Sequence, residues 1–363
     1  MKIAAVVSTI EFQNRATIEA ISKNYKNIEV FVKRNITDFF KPKTQSEFVK
    51  INYIYSIFPE KLRRFWLLSF IEYLVAHIFI RPEFKKFDVA LLTNTHVAYL
   101  IPILKGKRIV SLFVDPYFLM NGGKTKEDEK TMALSSQILL CTSKLLASDY
   151  CRKYLGVDVE GIYWPNTVDI SRWDLRNFKN NAIQSGDYVF GYAGNMNEIT
   201  IDIPLVEALV ASFPDTEFRF AGKINFSKKN DKEKFVKIFA RENVTYLGMI
   251  PYTEIQREVS KWDVCLMLDK QYELSRYVHH NKVYQYLALG KVVVATKTHN
   301  DYDSLSEEIF ESSGIDDFLS NARIALGLAR DVNRVSKRVE LAMLESSEER
   351  AKKFMEILDS KFQ

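Results

Sequence analysis

The sequence predicts an α/β fold of two doubly wound parallel-sheet domains. Three observations carry this. Apolar runs of strand length alternate with helical stretches through most of the 363 residues. A run such as Ile109-Val110-Ser111-Leu112-Phe113-Val114 has no polar face, as expected of parallel strands covered on both sides. The β–α series then restarts after Pro165, and two successive series imply two open sheets rather than one barrel.

In the first half the pattern gives strands near 2–8, 28–32, 49–55, 88–92, 108–113, 137–141 and 160–163, with helices near 13–24, 61–80, 96–104 and 143–155. In the second half it gives strands near 187–193, 216–221, 244–247, 263–268 and 291–296. Helices there fall near 202–212, 231–241, 252–260, 281–289 and 315–329. The chain thus divides into 1–165, 166–332 and a strandless, charged helical tail, 333–363, expected to pack back across the domains. The join lies at Trp164-Pro165-Asn166-Thr167-Val168-Asp169. Open parallel sheets bind ligands beyond the carboxyl ends of their strands. The cleft between two such domains is therefore the expected site.

Composition excludes several classes. With 47% hydrophobic and 27% charged residues, 13 Gly and 9 Pro, the chain is neither disordered, collagen-like nor a multi-span membrane protein. Cys141, Cys151 and Cys265 are too few for a disulfide scaffold and lack metal-ligand spacing, so free thiols of a reducing cytoplasm are expected. The apolar run at 3–7 reads as a buried first strand. It is short for a signal peptide, it meets Glu11, and no small-residue cleavage site follows. No uncharged apolar stretch reaches the roughly 18 residues of a membrane span.

Segment 61–86 comes nearest to one. The aromatic-rich run Phe65–Ile80 has Lys61, Arg63 and Arg64 before it and Arg81, Lys85 and Lys86 after it. It reads as a core helix with solvated ends, or as a helix that dips into an anionic bilayer surface. Charge leans toward the second. Residues 1–165 carry 24 Lys+Arg against 16 Asp+Glu, whereas residues 166–363 carry 27 against 30. A basic first half suits a membrane surface or an anionic acceptor. Nucleic acid is not expected, because the charge is not gathered into a stripe with interleaved aromatics. The expected location is cytoplasmic, peripheral on the inner face of the membrane.

The most informative stretch runs from His279 to Thr296. It reads as loop, cap, short helix, glycine stop and buried strand. Asn281 suits an N-cap and Gly290 the left-handed position after the helix. The first-turn N–H groups and the Lys282 charge would make a site for a pyrophosphate, with Gln285 one turn on to meet ribose hydroxyls. An ordinary capped helix with a solvated lysine fits the same spacing. Three other strand ends carry glycines: Gly194-Asn195 after 187–193, Gly222-Lys223 after 216–221, and Gly248 in the run to Tyr252. Gly194 would let a ligand approach the backbone closely.

Together these residues resemble the GT-B superfamily of nucleotide-sugar glycosyltransferases. The resemblance lies in Pro165-Asn166 with Val168-Asp169, in the glycines at 194, 222 and 248, in the Lys282–Val294 segment, and in Ser346-Ser347-Glu348-Glu349-Arg350-Ala351. It implies two Rossmann-like domains facing a cleft, with a UDP- or GDP-type sugar donor on the C-terminal one. Lys282 would meet the diphosphate and Gln285 the ribose. The loops at Gly222-Lys223 and Met249–Tyr252 would frame the base, and the N-terminal domain would hold a glycan or lipid-linked acceptor. Retaining family 4 enzymes carry two glutamates eight positions apart, where this sequence has Tyr277 and Gln285. A lysine followed three residues later by glutamine looks more like the inverting glucuronosyltransferases of bacterial exopolysaccharide assembly. The expected reaction is hexosyl or glucuronosyl transfer in envelope or capsular glycan synthesis.

An inverting transfer needs a general base on the acceptor hydroxyl. Asp115, after the strand ending near 113, is the first candidate, although an aspartate before proline also caps turns. His96 is the second, and it also suits a helix start. Glu11 and Arg15 could orient the acceptor, while Asp149 reads as a solvated helix residue. Adjacent His279 and His280 lack partners at metal-ligand spacing. Arg276 and His280 are instead candidates for donor phosphate or sugar, and Lys282 with helix N–H groups would replace a divalent cation. A nucleotide-sugar 2-epimerase of the same fold and a non-catalytic nucleotide-sugar-binding scaffold are the competing readings.

Overall fold

Residues 1–8, 15–43, 45–59, 62, 65–181 and 187–362 are described in the computed structural model of the protein. Glu11, Lys61, Arg63 and Arg64 lie outside the described residues. The chain forms two compact units: residues 1–167, 277–279 and 347–363 make the first, and residues 168–276 and 280–346 the second.

The first unit contains β1 (Ile3–Val7), α1 (Arg15–Tyr25), β2 (Ile28–Asn35), β3 (Lys50–Ser56), α2 (Trp66–Val75), β4 (Val89–Leu92), β5 (Arg108–Phe113), α3 (Lys126–Ser135), β6 (Ile138–Cys141), α4 (Lys144–Ser148) and β7 (Ile162–Tyr163). Its strands form one sheet in the order β3-β2-β1-β4-β5-β6-β7, with every pair parallel. The absence of a polar face has the expected consequence. In β1, Ala4 and Val6 enter one core layer while Ile3, Ala5 and Val7 enter the other, and all five are buried. The segment after Asn94 is a 3₁₀ helix, Thr95–Leu104, rather than an α-helix. Pro102 lies within it and lacks the N–H that a regular ladder needs.

The second unit contains β8 (Val189–Ala193), α5 (Ile203–Ser212), β9 (Glu217–Ala221), α6 (Lys229–Phe239), β10 (Val244–Gly248), α7 (Ile255–Val259), β11 (Val264–Met267), α8 (Lys282–Ala288), β12 (Val292–Thr296), β13 (Ile309–Ser312), α9 (Ile315–Leu328) and α10 (Val332–Leu344). The strand order is β10-β9-β8-β11-β12-β13, again all parallel. Phe190 of β8 stacks on Phe218 of β9 with ring centroids 5.0 Å apart, on one face of the sheet. On the other face the Trp262 ring lies over Gly191, where a Cβ would sit 1.9 Å from it. The tail divides: α10 belongs to the second unit, whereas α11 (Ser347–Phe362) belongs to the first. There Ala351, Phe354, Met355 and Leu358 of α11 join Ile18 and Ile21 of α1 in one core layer.

Two elements go beyond the sequence expectation. Helix α3 opens with five charged residues, Lys126 to Lys130, which hide its buried Glu129, Met132 and Ala133. Strand β13 has only two apolar residues, yet Ile309 to Ser312 pair in register with Val293 to Thr296. The helix expected at 61–80 forms as α2 followed by a wider π-type turn, Ala76–Ile80. Ala76 and Ile80 are core residues, as the core-helix reading requires, but Trp66, Leu67, Phe70, Ile78 and Phe79 are exposed. No helix among the described residues is long and apolar enough to cross a membrane. All three cysteines are buried free thiols.

Candidate functional site

In each sheet the chain reverses its direction of growth beside the first strand of the series. In the second unit this happens at β8, which lies between β9 and β11. In open parallel sheets the loops leaving the two strands beside such a reversal, here β8 and β11, run to opposite faces and leave room for a ligand between them. The side chains at that point are those of the Lys282 segment.

The ammonium of Lys282, the first residue of α8, donates to the Ala193 carbonyl at the end of β8 (3.3 Å). It also lies 4.7 Å from the centre of the Tyr192 ring. Gly194 makes room for it: a Cβ there would stand 3.0 Å from Lys282 Nζ and 2.9 Å from the Tyr192 hydroxyl. The next strand end abuts the same glycine. Gly222 has φ +130°, and a Cβ on it would meet the Gly194 carbonyl oxygen at 2.0 Å. The Gly194 N–H donates to the Ala221 carbonyl (2.9 Å), and the Gly222 N–H to the Gly248 carbonyl (2.8 Å). Three glycine strand ends therefore lie against one another, as only residues without side chains permit.

Asp269, just beyond β11, supplies the counter-charge. Its Oδ2 lies 3.3 Å from His280 Nε2. Burial opposes its ionisation, but His280 first, and Lys282 and His299 after it, hold the carboxyl below its usual range. Burial pulls the Lys282 ammonium below its usual range, and Asp269 opposes that. The His280 N–H donates to the Tyr302 hydroxyl (3.1 Å), which donates back to the His280 carbonyl (3.3 Å). An ammonium short of solvent, set against glycine strand ends, is suited to an anion of two or more charges.

Helix α8 ends as expected. Gly290, at φ +71°, donates to the Leu287 carbonyl (2.8 Å), and Lys291 N–H to that of Tyr286 (3.0 Å). Its start differs. Asn281 is itself in helical conformation and makes no side-chain cap bond, so it is not the N-cap that its residue type suggested. Gln285 is buried. Asn195 and Lys223 are exposed on the loops after β8 and β9. Met249 and Tyr252 are also exposed, with Arg172 against the Tyr252 ring. Arg276 is exposed and pairs with Glu273 (3.5 Å). The two histidines part company: His279 belongs to the first unit, where its carbonyl accepts from Asn166 Nδ2 (2.6 Å). Among the described residues no group of three or more His, Cys, Asp or Glu is placed to hold a metal ion.

The first unit gathers its own polar groups past β4 and β5. The Asn94 carbonyl oxygen of the side chain accepts from His96 N–H (2.9 Å), and its Nδ2 donates to the Tyr117 hydroxyl (3.3 Å). Asp115 is half-buried in the turn after β5. Burial first, then the charges of Asp115 and Glu129, push the Tyr117 phenol up. Arg15 pairs with Glu19 (2.9 Å). Asp149 is not solvated as expected: it accepts from the Tyr277 hydroxyl (2.9 Å). Tyr277 is itself buried in the first unit's core and its carbonyl accepts from Ser143 Oγ (3.0 Å). Tyr277 is therefore a packing residue of the first unit.

Glu129 lies behind that turn, accepting from Thr125 Oγ1 (2.9 Å) and from the Tyr150 hydroxyl (2.5 Å). Tyr150 in turn accepts from the Phe118 N–H (3.1 Å). Burial lifts the Glu129 carboxyl from 4.5 to about 7. The folded state thus holds this proton more tightly than the unfolded chain does. Its contribution to stability is full below about pH 4.5 and is lost as pH climbs through about 7, by roughly 2–3 kcal/mol. Urea titration across that range should show wild type losing stability relative to Glu129→Gln as pH rises.

Asp269, Tyr192 and Tyr302 are absent from the sequence-derived candidates. One signal could have found Asp269: it is the first charged residue after an apolar strand that the usual doubly wound order places beside β8. The two tyrosines gave no signal that separates them from core aromatics.

No family model matches the sequence, and no curated protein matches it. Solved structures do. The chain is similar to Anabaena Alr3699/HepE in complex with UDP, at 12% identity and a TM-score of 0.68, over 99% of this chain and 100% of that one. It is similar to the sucrose-phosphate synthase of Thermosynechococcus elongatus, at 13% identity and a TM-score of 0.71, over 100% and 99%. It is similar to the lipopolysaccharide outer core galactosyltransferase WaaB, at 13% identity and a TM-score of 0.67, over the whole of both chains. What these proteins share with the two parallel sheets described above is the architecture: this chain has the GT-B fold.

Proposed function

We propose that the protein is a glycosyltransferase that moves a sugar from a nucleoside diphosphate-sugar to a glycan acceptor carried on a lipid. The observation that carries this is the position of Lys282: a partly buried ammonium at the strand-order reversal, beside Gly194. A diphosphate there would gain a full positive charge and charge-assisted hydrogen bonds in exchange for the ammonium's bond to the Ala193 carbonyl. The solved neighbours supply the ligand class. Alr3699/HepE is described in complexes with UDP-glucose and with UDP and glucose, and the E. coli trehalose-6-phosphate protein with UDP-2-fluoro glucose. UDP is accordingly the first nucleotide to test, with GDP second.

In the proposed reaction the acceptor oxygen forms a bond to the anomeric carbon from the face opposite the diphosphate, with inversion. The bond from that carbon to the diphosphate oxygen breaks, and its electron pair leaves with the diphosphate. The acceptor proton passes to the Asp115 carboxylate. Lys282 neutralises the charge that grows on the leaving oxygen, so the reading calls on no divalent cation. Gln285 and the loops holding Gly222, Lys223, Met249 and Tyr252 would bind ribose and base, and His280 would be held toward the sugar or phosphate by Asp269. The setting that suits a lipid-carried acceptor is the cytoplasmic face of a bacterial membrane, in envelope or capsular glycan assembly. Contact with the bilayer would run through 61–86.

Calorimetry with UDP tests the donor site. Lys282→Ala should raise the Kd by about 10–100-fold, the loss expected for one charged hydrogen-bonding group. An unchanged Kd removes the phosphate assignment. Turnover of UDP-sugar with and without a lipid-linked acceptor separates the alternatives. Release of UDP that requires acceptor is transfer, sugar interconversion without acceptor is epimerisation, and binding without turnover is a scaffold.

A further inference from the structure

Helix α2 is amphipathic with its faces reversed. Its one charged residue, Glu72, points inward and is 3% exposed. There the carboxylate accepts from the Ile57 N–H (3.0 Å) and the Phe58 N–H (3.1 Å). The outward face is apolar: eight of the fifteen residues from Phe65 to Phe79 are exposed large hydrophobics. Trp66 is 79% exposed and Phe79 70%. A helix that meets water normally shows the opposite pattern. A contiguous apolar surface of this kind marks an interaction site.

A cavity of about 820 Å³ opens beside this helix. Val75, Phe79 and Ile80 form one wall, and Phe31, Ile51 and Ile54 of β2 and β3 another. Its volume falls within the roughly 300–1,000 Å³ of small-ligand sites. Lys43, Gln45, Asn52 and Glu83 also line it, so polar groups stand among the apolar ones. Ile36, a further lining residue, leads into Phe39 and Phe40, and the latter is 94% exposed. The Phe39 ring packs on Tyr55, which lines the cavity too (centroids 5.1 Å). Exposed aromatics therefore stand on both sides of its opening.

Charge identifies the occupant. Arg81, Lys85 and Lys86 follow directly on the apolar face, all exposed, against the exposed acids Glu83 and Asp88, with Lys86 paired to Glu29 (2.7 Å). The half of the chain that carries this face has the basic excess, 24 Lys+Arg against 16 Asp+Glu over residues 1–165. An apolar face edged by cations matches the acyl region and anionic headgroups of a bilayer. A second protein copy would bring the same cations to the contact.

We infer that α2 and the turn after it lie in the headgroup–acyl boundary of an anionic bilayer, and that the adjoining cavity takes one hydrocarbon chain of a lipid from that bilayer. The inference rests on the lipid-carried acceptor proposed above for its setting, and its test does not use sugar transfer.

The full-length protein is floated with phosphatidylcholine vesicles with and without phosphatidylglycerol. Binding should require phosphatidylglycerol, and Phe70→Glu or Ile78→Glu, both at exposed positions, should weaken it about tenfold or more. Trp66 reports insertion by itself, because Trp164, Trp173 and Trp262 are all 4% exposed or less. Lipids brominated on the acyl chain should quench the wild type and leave Trp66→Phe unquenched. A lipid with a diazirine in its acyl chain then tests the cavity. It should label peptides holding Ile51 and Ile54 as well as those of α2. Labelling of α2 alone overturns the chain site. Absence of flotation and quenching overturns the bilayer contact. So does concentration-dependent dimerisation that Phe70→Glu abolishes, which would make the occupant a second copy. UDP affinity, measured on the same samples, reports on the donor site separately, so either reading can fail without the other.

Discussion

Asp115→Asn should lower turnover by about 10²–10⁴-fold, the usual contribution of a general base, while UDP affinity stays at the wild-type level. The acceptor hydroxyl must lose its proton as the new bond to the anomeric carbon forms. A carboxylate takes that proton and an amide of the same shape does not. The substitution is otherwise conservative where the residue sits. Asp115 occupies the turn between β5 and the helical turn Tyr117–Met120, and the bond that closes this turn runs from Tyr117 N–H to the backbone carbonyl of residue 115 (2.9 Å). That bond survives in the amide variant. Tyr117 keeps its bond from Asn94, and Lys282, Asp269 and Gly194 belong to the other unit. Turnover with saturating donor and acceptor, read against calorimetric UDP binding, gives the two halves of the prediction. The acid limb of the kcat/KM profile should disappear with the carboxylate. Full activity in Asp115→Asn removes the residue from the role. A loss in His96→Gln of the size expected for Asp115 would transfer the role to His96.

The architecture was legible because its signal is simple. Strands buried on both faces read as apolar runs, and nearly every such run is a strand. What escaped has a physical cause in each case. Helix α3 is written in charges, because one of them, Glu129, is satisfied inside by Thr125 and Tyr150. The ends of the units are not contiguous in sequence. Tyr277–His279 return to the first unit, so two adjacent histidines face different partners. Asn281 has the composition of a cap without the backbone conformation of one. In the donor-site candidate, Lys282 and the glycines were visible as types at spacings. The group that sets the lysine's electrostatics, Asp269, lies 13 positions away and comes near only through the order of the strands. Spacing finds groups on one helix or one loop; it does not find groups that the sheet brings together.

Arg338→Ala should destabilise the second unit by about 3–5 kcal/mol, the usual result of leaving a buried charge without its partner. Both Arg338 and Glu308 are fully buried, with Arg338 Nε 2.6 Å from Glu308 Oε2. The guanidinium has further work to do. Nη1 donates to the carbonyls of Gly290 (3.1 Å) and Ala329 (3.2 Å), and Nη2 to that of Leu328 (2.8 Å). One side chain of α10 thus closes the ends of α8 and α9 and meets the residue before β13. Burial pulls the guanidinium below its usual range, and Glu308 pushes it back. Alanine leaves the carboxylate to Arg334 (2.9 Å) and three carbonyls without this donor. Replacing both partners by apolar residues of similar size, Arg338→Met with Glu308→Leu, should recover part of the loss, since the buried charge goes with its partner. The carbonyls stay unsatisfied, so recovery should be incomplete. Urea unfolding of wild type, Arg338→Met, Glu308→Leu and the double variant gives the coupling energy directly. If Arg338→Ala alone costs less than about 1 kcal/mol, the range of an exposed ion pair, the pair is hydrated in solution and does not tie these helices to the sheet.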